Sequence, residues 1–482
     1  MSAAWGRVTA GEIAKATSGE MISGRAETTL AGISTDTRKQ LEGCVFWALK
    51  GERFDGNDFL ELAFESGASA VVAEQGRVMP GRIPSDKTAI LVKDTLRALG
   101  DFAGWWRREH KVQVLALTGS NGKTTTKEMA AAVLELQGAV LKNPGNYNNL
   151  IGLPLSLLDL TEAHERAVLE MGMNHPGEIG RLTEIAAPDV GLITNVARAH
   201  LEGMGDLRSV ARAKGELFEK MGPGSLAVVN GDDPLVVGEL PRFKGRVLTF
   251  GLGSGNAVRA EGIRELGREG LEFEIIRGDE KAGVRLSVPG RHNVMNALAA
   301  AAAAAAMGVS LSQAAQGLAG FRGVPGRFTV VDLPDGATLV DDTYNANPSS
   351  LAAALESLAP LLRPNGRVIL GLGDMLELGA EAVSAHEEAG RAAFQHGADL
   401  IVVMGEHSED VARGAREAGA GRINIQIAES HEQMARMIRA ALTTGDLILL
   451  KASRGVRLEE VVRRLKEGGG RLNESKDKNT GG

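Results

Sequence analysis

The sequence predicts an α/β protein of three domains: a small N-terminal α/β domain, a central parallel-sheet domain of the P-loop type, and a C-terminal Rossmann-like domain. Three observations predict it. Runs of β-branched and aliphatic residues alternate with helical patterns from about Val112 onward, as in a parallel sheet with crossover helices. A glycine-bearing turn at 118–126 joins one such run to a helix. At 482 residues the chain has the length for several independent cores, on a prior of about 150 residues per domain.

The segment ahead of Val112 carries short strands at 45–48 and 70–73 and a helix from Asp94 to about Glu109, so the first domain is placed at 1–110. Strands at 112–118, 167–171, 190–196, 226–230 and 247–250, with a hairpin at 271–276 and 285–288, make the central domain, 111–325. Its end is set by the turn residues of Gly323-Val-Pro-Gly326. Strands at 338–341, 367–371, 400–404 and 447–451, with helices at 384–396 and 432–442, form the third domain, 326–472. Residues 473–482 are polar, charged and glycine-ended and are expected to be a disordered tail.

A formal net charge of −7 argues against general nucleic-acid binding, which needs a basic face, so any phosphate must be held locally. The single cysteine, Cys44, can form neither an internal disulfide nor a cysteine-built zinc site, and reads as a small buried hydrophobe in an intracellular protein. The first twenty residues lack the apolar core of a secretory signal, and the longest apolar run, 297–307, is about half a membrane span. A cytoplasmic monomer without membrane insertion is expected.

The turn reads Leu115-Ala-Leu-Thr-Gly-Ser-Asn-Gly-Lys-Thr-Thr-Thr126 and opens a helix near Thr124. Gly119 and Gly122 let backbone amides approach phosphate oxygens, Lys123 supplies a point charge, and Thr124 offers a hydroxyl for magnesium at the positive end of the helix. Thr118, Ser120, Asn121 and Thr125 complete the candidate nucleotide cradle. The strict eight-residue pattern wants glycine at 117, where this chain has Leu117.

Glu170 ends one strand and His200 follows the next, both at the edge where open parallel sheets bind ligands. Alone, such a glutamate is more often a solvated or capping group, and such a histidine a structural one; His175 reads as a loop residue. Lys214 is the more informative position. It shares a helical face with Leu207, Val210, Ala211, Leu217, Phe218 and Met221, so either its ammonium snorkels out or its chemistry has changed. Asn293 and Asn296, beside His292, open the alanine-rich helix, where asparagine is often just a cap. Trp105 and Trp106 read as packing residues.

The short loop Thr118-Gly-Ser-Asn-Gly-Lys-Thr-Thr-Thr126 resembles that of Mur ligases and of folylpolyglutamate synthases. Glu170-Met-Gly-Met-Asn-His-Pro-Gly-Glu178, Asn195-Val-Ala-Arg-Ala-His-Leu-Glu202, the Ala-Lys-Gly-Glu around Lys214, Pro289-Gly-Arg-His-Asn-Val-Met-Asn296, Pro325-Gly-Arg-Phe328 and Asp341-Asp-Thr-Tyr-Asn-Ala-Asn-Pro348 resemble Mur elements. The resemblance runs from Ser34 to about Val462. It implies ATP and Mg2+ as cofactors, with Thr124, Glu170, His200 and a carbamylated Lys214 as metal ligands. Lys123, Glu170, His200 and Lys214 become the catalytic set, and His292, Asn293 and Asn296 the adenine element. Arg327 and Asp342 approach ATP from the third domain, which implies domain closure.

Ser34-Thr-Asp-Thr-Arg-Lys39, Ala48-Leu-Lys-Gly-Glu-Arg-Phe-Asp-Gly56, Gly373-Asp-Met-Leu-Glu-Leu-Gly379 and Lys451-Ala-Ser-Arg454 are most similar to the D-alanyl-D-alanine-adding branch of the family. What that implies is an ATP-dependent ligase joining D-alanyl-D-alanine to UDP-N-acetylmuramoyl-tripeptide. Its substrate candidates are Ser34, Asp36, Thr37, Arg38 and Lys50 on the first domain, Asn148 and Asn149 on the second, and Tyr344 and Asn345 on the third. Ala452 departs from the glycine usual in Lys-Gly-Ser-Arg. Two rivals stand beside this reading: a folylpolyglutamate synthase-like ligase, against which the N-terminal domain argues, and a nucleotide-dependent switch without turnover.

Overall fold

The computed structural model describes residues 5–6, 8–78, 83–199, 201–419 and 424–467; His200 and the expected tail at 473–482 lie outside the described residues. Two compact units make up the chain, one of residues 1–196, 211–259 and 298–317, the other of 197–210, 260–297 and 318–482. Among the described residues no helix is long and apolar enough to cross a membrane.

The first unit opens with strands β1 (Glu20–Ser23), β2 (Ile33–Ser34), β3 (Val45–Trp47), β4 (Ala70–Glu74) and β5 (Thr88–Val92) in the order β1-β5-β4-β3-β2. β1 runs antiparallel to β5 and the other pairs are parallel. Leu41, Phe46, Ala63, Val71 and Ala89 make one side of this core. The helix Thr95–Glu109 starts at the expected place because Asp94 caps it, accepting from Arg97 N. Phe102 of that helix stacks between Trp47 and Trp105, and Trp106 packs on Trp5 and His110, so both tryptophans are packing residues.

The same unit carries the parallel strands β6 (Gln113–Thr118), β7 (Ala139–Lys142), β8 (His164–Glu170), β9 (Val190–Ile193), β10 (Leu226–Asn230), β11 (Arg246–Gly251) and the start of β12 (Val258–Glu265). Their order is β12-β11-β10-β9-β6-β8-β7. The chain leaves β6 toward β7 on one side and β9 toward β10 on the other. The carboxyl ends of β6 and β9 therefore flank a switch point, where a parallel sheet opens a crevice for ligands.

In the second unit β13 (Leu271–Arg277) and β14 (Glu280–Leu286) form the expected hairpin, but its second strand begins earlier than 285. Arg277 pairs with Glu280 across a tight turn at Gly278-Asp279, where Gly278 has φ +59°. The early part of β14 is charged and exposed, so no aliphatic run marks it.

The remaining strands are β15 (Thr329–Asp332), β16 (Thr338–Asp342), β17 (Val368–Gly373), β18 (Ala398–Met404), β19 (Asn424–Ile427) and β20 (Leu447–Lys451), ordered β15-β16-β20-β17-β18-β19. Only β15 is antiparallel to its neighbour. Leu339, Ile369, Val402, Ile448 and Leu450 pack on Met434 and Ile438 of the helix His431–Ala441. The architecture is the α/β one predicted, with parallel sheets that present their strand ends to ligands.

Candidate functional site

The turn after β6 is shaped by two glycines in left-handed backbone. Gly119 has φ +150°, and Gly122, at φ +79°, is the N-cap of the helix Lys123–Leu134. The amides of that first turn have no intrahelical acceptors and form an anion site. The loop is strapped to the end of β9. Thr194 Oγ1 donates to Asn121 O at 2.7 Å, Asn195 Oδ1 accepts from Asn121 N at 2.9 Å, and Ser120 N donates to Asn195 O. Thr118 Oγ1 donates to Met171 O, tying the loop to the end of β8 as well. Lys123 folds over its own loop, with Nζ donating to Gly119 O at 2.8 Å.

Glu170 pairs in register with Leu117, one residue before the loop, and is buried at 2 % exposure. One asparagine brackets its backbone: Asn143 Oδ1 accepts from Glu170 N and Asn143 Nδ2 donates to Glu170 O, each at 2.9 Å. Asn148 Nδ2 donates to Glu170 Oε1 at 2.9 Å, while Oε2 is buried and, among the described residues, accepts no hydrogen bond. A buried carboxylate oxygen left over in this way, on the strand paired with the one that leads into the loop and the Thr124 hydroxyl, is the donor chemistry a hard divalent cation such as Mg2+ requires. Asn149 Oδ1 accepts from Ile151 N and Gly152 N, which orders the turn ahead of the short helix Gly152–Leu157.

Lys214, in the helix Leu207–Lys220, is 1 % exposed, and among the described residues no carboxylate lies in ion-pair range of it. Burial, and secondarily the charge of Lys123, push its ammonium well below the usual lysine value. The snorkelling alternative is excluded by that burial. The group is disposed to be a neutral amine.

The second unit gathers another set. Phe328, itself at φ +54°, turns its N–H onto Asp342 Oδ1 at 3.1 Å, and Lys451 Nζ donates to Asp342 Oδ2 at 2.5 Å and to Asn345 O at 3.0 Å. Arg327 lies 3.9 Å over the Tyr344 ring, with Arg454 at 5.4 Å, a cation–π cluster. His292 packs edge-on against Phe328, and burial lowers its pKa to about 4, opposed by Asp342. Asn293 Nδ2 donates to Pro289 O and Asn296 Nδ2 to Asn293 Oδ1, so the two asparagines are tied together at the start of the helix.

Gly373-Asp-Met-Leu376 and Lys451-Ala-Ser-Arg454 meet: Leu376 N donates to Ser453 Oγ and Met375 N to His386 Nε2. The unusual Ala452 methyl fits because its neighbour is Gly373; a Cβ there would come 2.9 Å from it. In the N-terminal domain Ser34, Asp36, Thr37 and Arg38 share the turn after β2. Arg38 grips Asp36 in a bidentate pair that holds the Asp36 carboxyl well below the usual carboxylate range, and the exposed Lys50 backbone bridges to Asp55.

Family models match along the chain: Mur ligase family, catalytic domain over 29–105; Mur ligase middle domain over 117–304; and Mur ligase, glutamate ligase domain over 326–454. The UDP-N-acetylmuramoyl-tripeptide–D-alanyl-D-alanine ligase of Escherichia coli strain K12 is 39% identical over 92% of this chain and 95% of its own. The chain belongs to the Mur ligase family.

The ligase of the same name from Bacillus subtilis strain 168 is 37% identical over 92% of this chain and 94% of its own. Among solved Mur ligases, a MurF crystal structure from Acinetobacter baumannii superposes with TM-score 0.87 at 32% identity, covering 95% of this chain and 99% of that one. MurF from Thermotoga maritima, solved in complex with ADP, gives TM-score 0.80 at 31% identity over 91% and 98%. A folylpolyglutamate synthase from Mycobacterium tuberculosis shares the fold at TM-score 0.62 and 17% identity.

Of the expected Mur-ligase positions, Thr118, Gly119, Ser120, Asn121, Gly122, Lys123, Thr124, Thr125, Asn148, Glu170 and Lys214 fall in the first unit, and His292, Asn293, Asn296, Arg327, Asp342, Tyr344 and Asn345 in the second. Among the described residues no three His, Cys, Asp or Glu side chains converge as a metal cluster, so the described part of the expected set is Thr124, Glu170 and Lys214. The sequence alone points to Asn195 only as the head of a Mur-like element, and does not point to Thr194, Asn143 or Lys127. Lys127 is fully buried, donates to Asn143 O at 2.7 Å, and sits 3.8 Å from Glu170 Oε2. Its signal was available: it falls in line with Ala130, Ala131 and Leu134 on the buried helical face, as Lys214 does on its own helix.

Proposed function

We propose that this chain joins D-alanyl-D-alanine to UDP-N-acetylmuramoyl-tripeptide at the cost of ATP, through an acyl phosphate, yielding the pentapeptide, ADP and phosphate for peptidoglycan synthesis. The observation that carries the reading is the strapped phosphate loop beside the buried, half-satisfied Glu170 in a chain of this family. A carboxylate is a poor electrophile until one of its oxygens becomes a phosphate. The chain's part is to hold reactants in line and to meet charge where it develops.

The loop amides and Lys123 hold the ATP phosphates. The peptide carboxylate attacks the γ-phosphorus, and ADP departs. The amine of D-alanyl-D-alanine then attacks the acyl carbon, and the tetrahedral adduct loses phosphate to leave the amide. Thr124, Glu170, His200 and carbamylated Lys214 are the residues that would hold Mg2+, which when bound neutralises charge on the phosphate oxygens. Residues 1–110 take the uridine diphosphate end through Ser34, Asp36, Thr37, Arg38 and Lys50. Residues 111–325 take ATP, with His292, Asn293 and Asn296 at the adenine. Residues 326–472 take the dipeptide, with Arg327 and Asp342 reaching ATP and Tyr344 and Asn345 the substrates. The enzyme works as a cytoplasmic monomer.

Phosphate release measured with each substrate omitted in turn tests this. Release that requires ATP, the sugar-tripeptide and D-alanyl-D-alanine together is expected. Release with a folate and glutamate, or nucleotide binding without release, would overturn it.

A further inference from the structure

The phosphate-loop helix carries a second lysine one turn beyond Lys123. Lys127 is fully buried, yet its ammonium spends its hydrogen bond on Asn143 O at 2.7 Å and not on a carboxylate. It stands 3.4 Å from Glu128 Oε1 and 3.8 Å from Glu170 Oε2. Asn143 is the side chain that brackets the Glu170 backbone from both sides, and its Nδ2 also donates to Tyr147 O. Lys127, Asn143 and Glu170 thus form one buried unit joining the helix, the end of β7 and the end of β8.

A buried ammonium is costly unless paired, and a carboxylate buried as deeply as Glu170 needs a counter-charge. An ordinary salt bridge would supply it by donating to the carboxylate oxygen, and would compete with a cation for one of that oxygen's two lone-pair directions. Here the charge stands close while Oε2 accepts no hydrogen bond among the described residues. A neutral side chain at 127 would leave the carboxylate without its counter-charge. A lysine hydrogen-bonded to Oε2 would compete with a cation there.

We propose that Lys127 is a positioning residue for Glu170: held off by Asn143, it balances the buried carboxylate and fixes its place while leaving Oε2 open to the divalent cation that accompanies the nucleotide. The inference rests on the reading of Glu170 as a cation ligand.

The test uses the full chain with ADP, and Mn2+ as the probe, its bound fraction read by electron paramagnetic resonance. Lys127→Met, Glu170→Gln and the double variant are compared with wild type for Mn2+ affinity, for the split between kcat and the KM for the metal–nucleotide, and for melting temperature. Lys127→Met should weaken Mn2+ binding about tenfold or more. It should leave sugar-tripeptide affinity within about twofold. The double variant should melt above Lys127→Met, because the second change removes the charge left unbalanced. Mn2+ affinity of Lys127→Met within about twofold of wild type, or a double variant melting at or below Lys127→Met, overturns the proposal. The melting comparison decides the matter even where Lys127→Met folds too poorly to bind Mn2+. If Glu170→Gln binds Mn2+ as wild type does, the reading of Glu170 fails and the inference falls with it. If Glu170→Gln loses Mn2+ and Lys127→Met does not, only the role of Lys127 is lost.

Discussion

Gly119 lies so close to Thr194 that a Cβ on residue 119 would come 1.8 Å from Thr194 Oγ1, the hydroxyl that straps Asn121. The glycine is therefore required twice. Its φ of +150° is one that other residues rarely adopt, and its missing side chain makes room for the strap.

Gly119→Ala should therefore weaken ATP binding at least about tenfold, read by calorimetry. Thr194→Ala on that background should recover only part of the loss, since the clash is relieved but the backbone strain stays. Full recovery would show that the clash alone matters.

Lys123→Ala should lower turnover by about a thousandfold or more, because the charge it brings to the phosphates has no substitute in the loop. Among the described residues its Nζ donates to the loop carbonyls of Gly119 and Ser120, and each such bond contributes about 1 kcal/mol, so the loss of turnover should far exceed any loss of stability. Substantial remaining phosphate release would sink the role given to it.

Lys214 is buried and its ammonium disfavoured, which favours the free amine that adds carbon dioxide and, on losing a proton, becomes an anionic oxygen ligand. Enzyme prepared in 13C-bicarbonate should show a carbamate carbon resonance that Lys214→Ala lacks, and activity that falls when bicarbonate is removed. A wild-type spectrum without that resonance in active enzyme would refute the carbamate.

The sequence made the phosphate loop, Glu170 and the odd placement of Lys214 legible because each is written locally: a strand, a glycine turn, a lysine in an apolar stripe. The strands it left unnamed fail that test in different ways. β7 is a short edge strand and half of the residues of β12 are charged, so neither shows an aliphatic run. β5 is buried throughout and does show one, as does its parallel partner β4. Thr194, Asn195 and Asn143 were out of reach because their roles depend on strand ends distant in sequence meeting at the switch point. Ala452, a departure from the family pattern in the sequence, is accommodated in three dimensions by Gly373.

His292 provides the pH test. Burial lowers its pKa from the ordinary 6.5 to about 4, with Asp342 pulling it up and Lys451 pushing it down. Below 6.5 the unfolded chain takes up a proton that the folded one refuses, so the stability His292 contributes is whole above that pH and drains away as pH falls toward about 4. The full effect is up to roughly 3 kcal/mol, reduced because His292 is only half-buried. Urea unfolding of wild type and His292→Gln at about pH 7, 6 and 5 should show a steeper loss of midpoint for wild type, since only its unfolded state gains that proton. His292→Gln should start less stable at the highest pH, having lost the edge-on contact with Phe328, and close the gap as pH falls. Two curves that stay parallel would mean that His292 titrates in the folded chain much as it does in water, and that its burial does not hold the ring neutral.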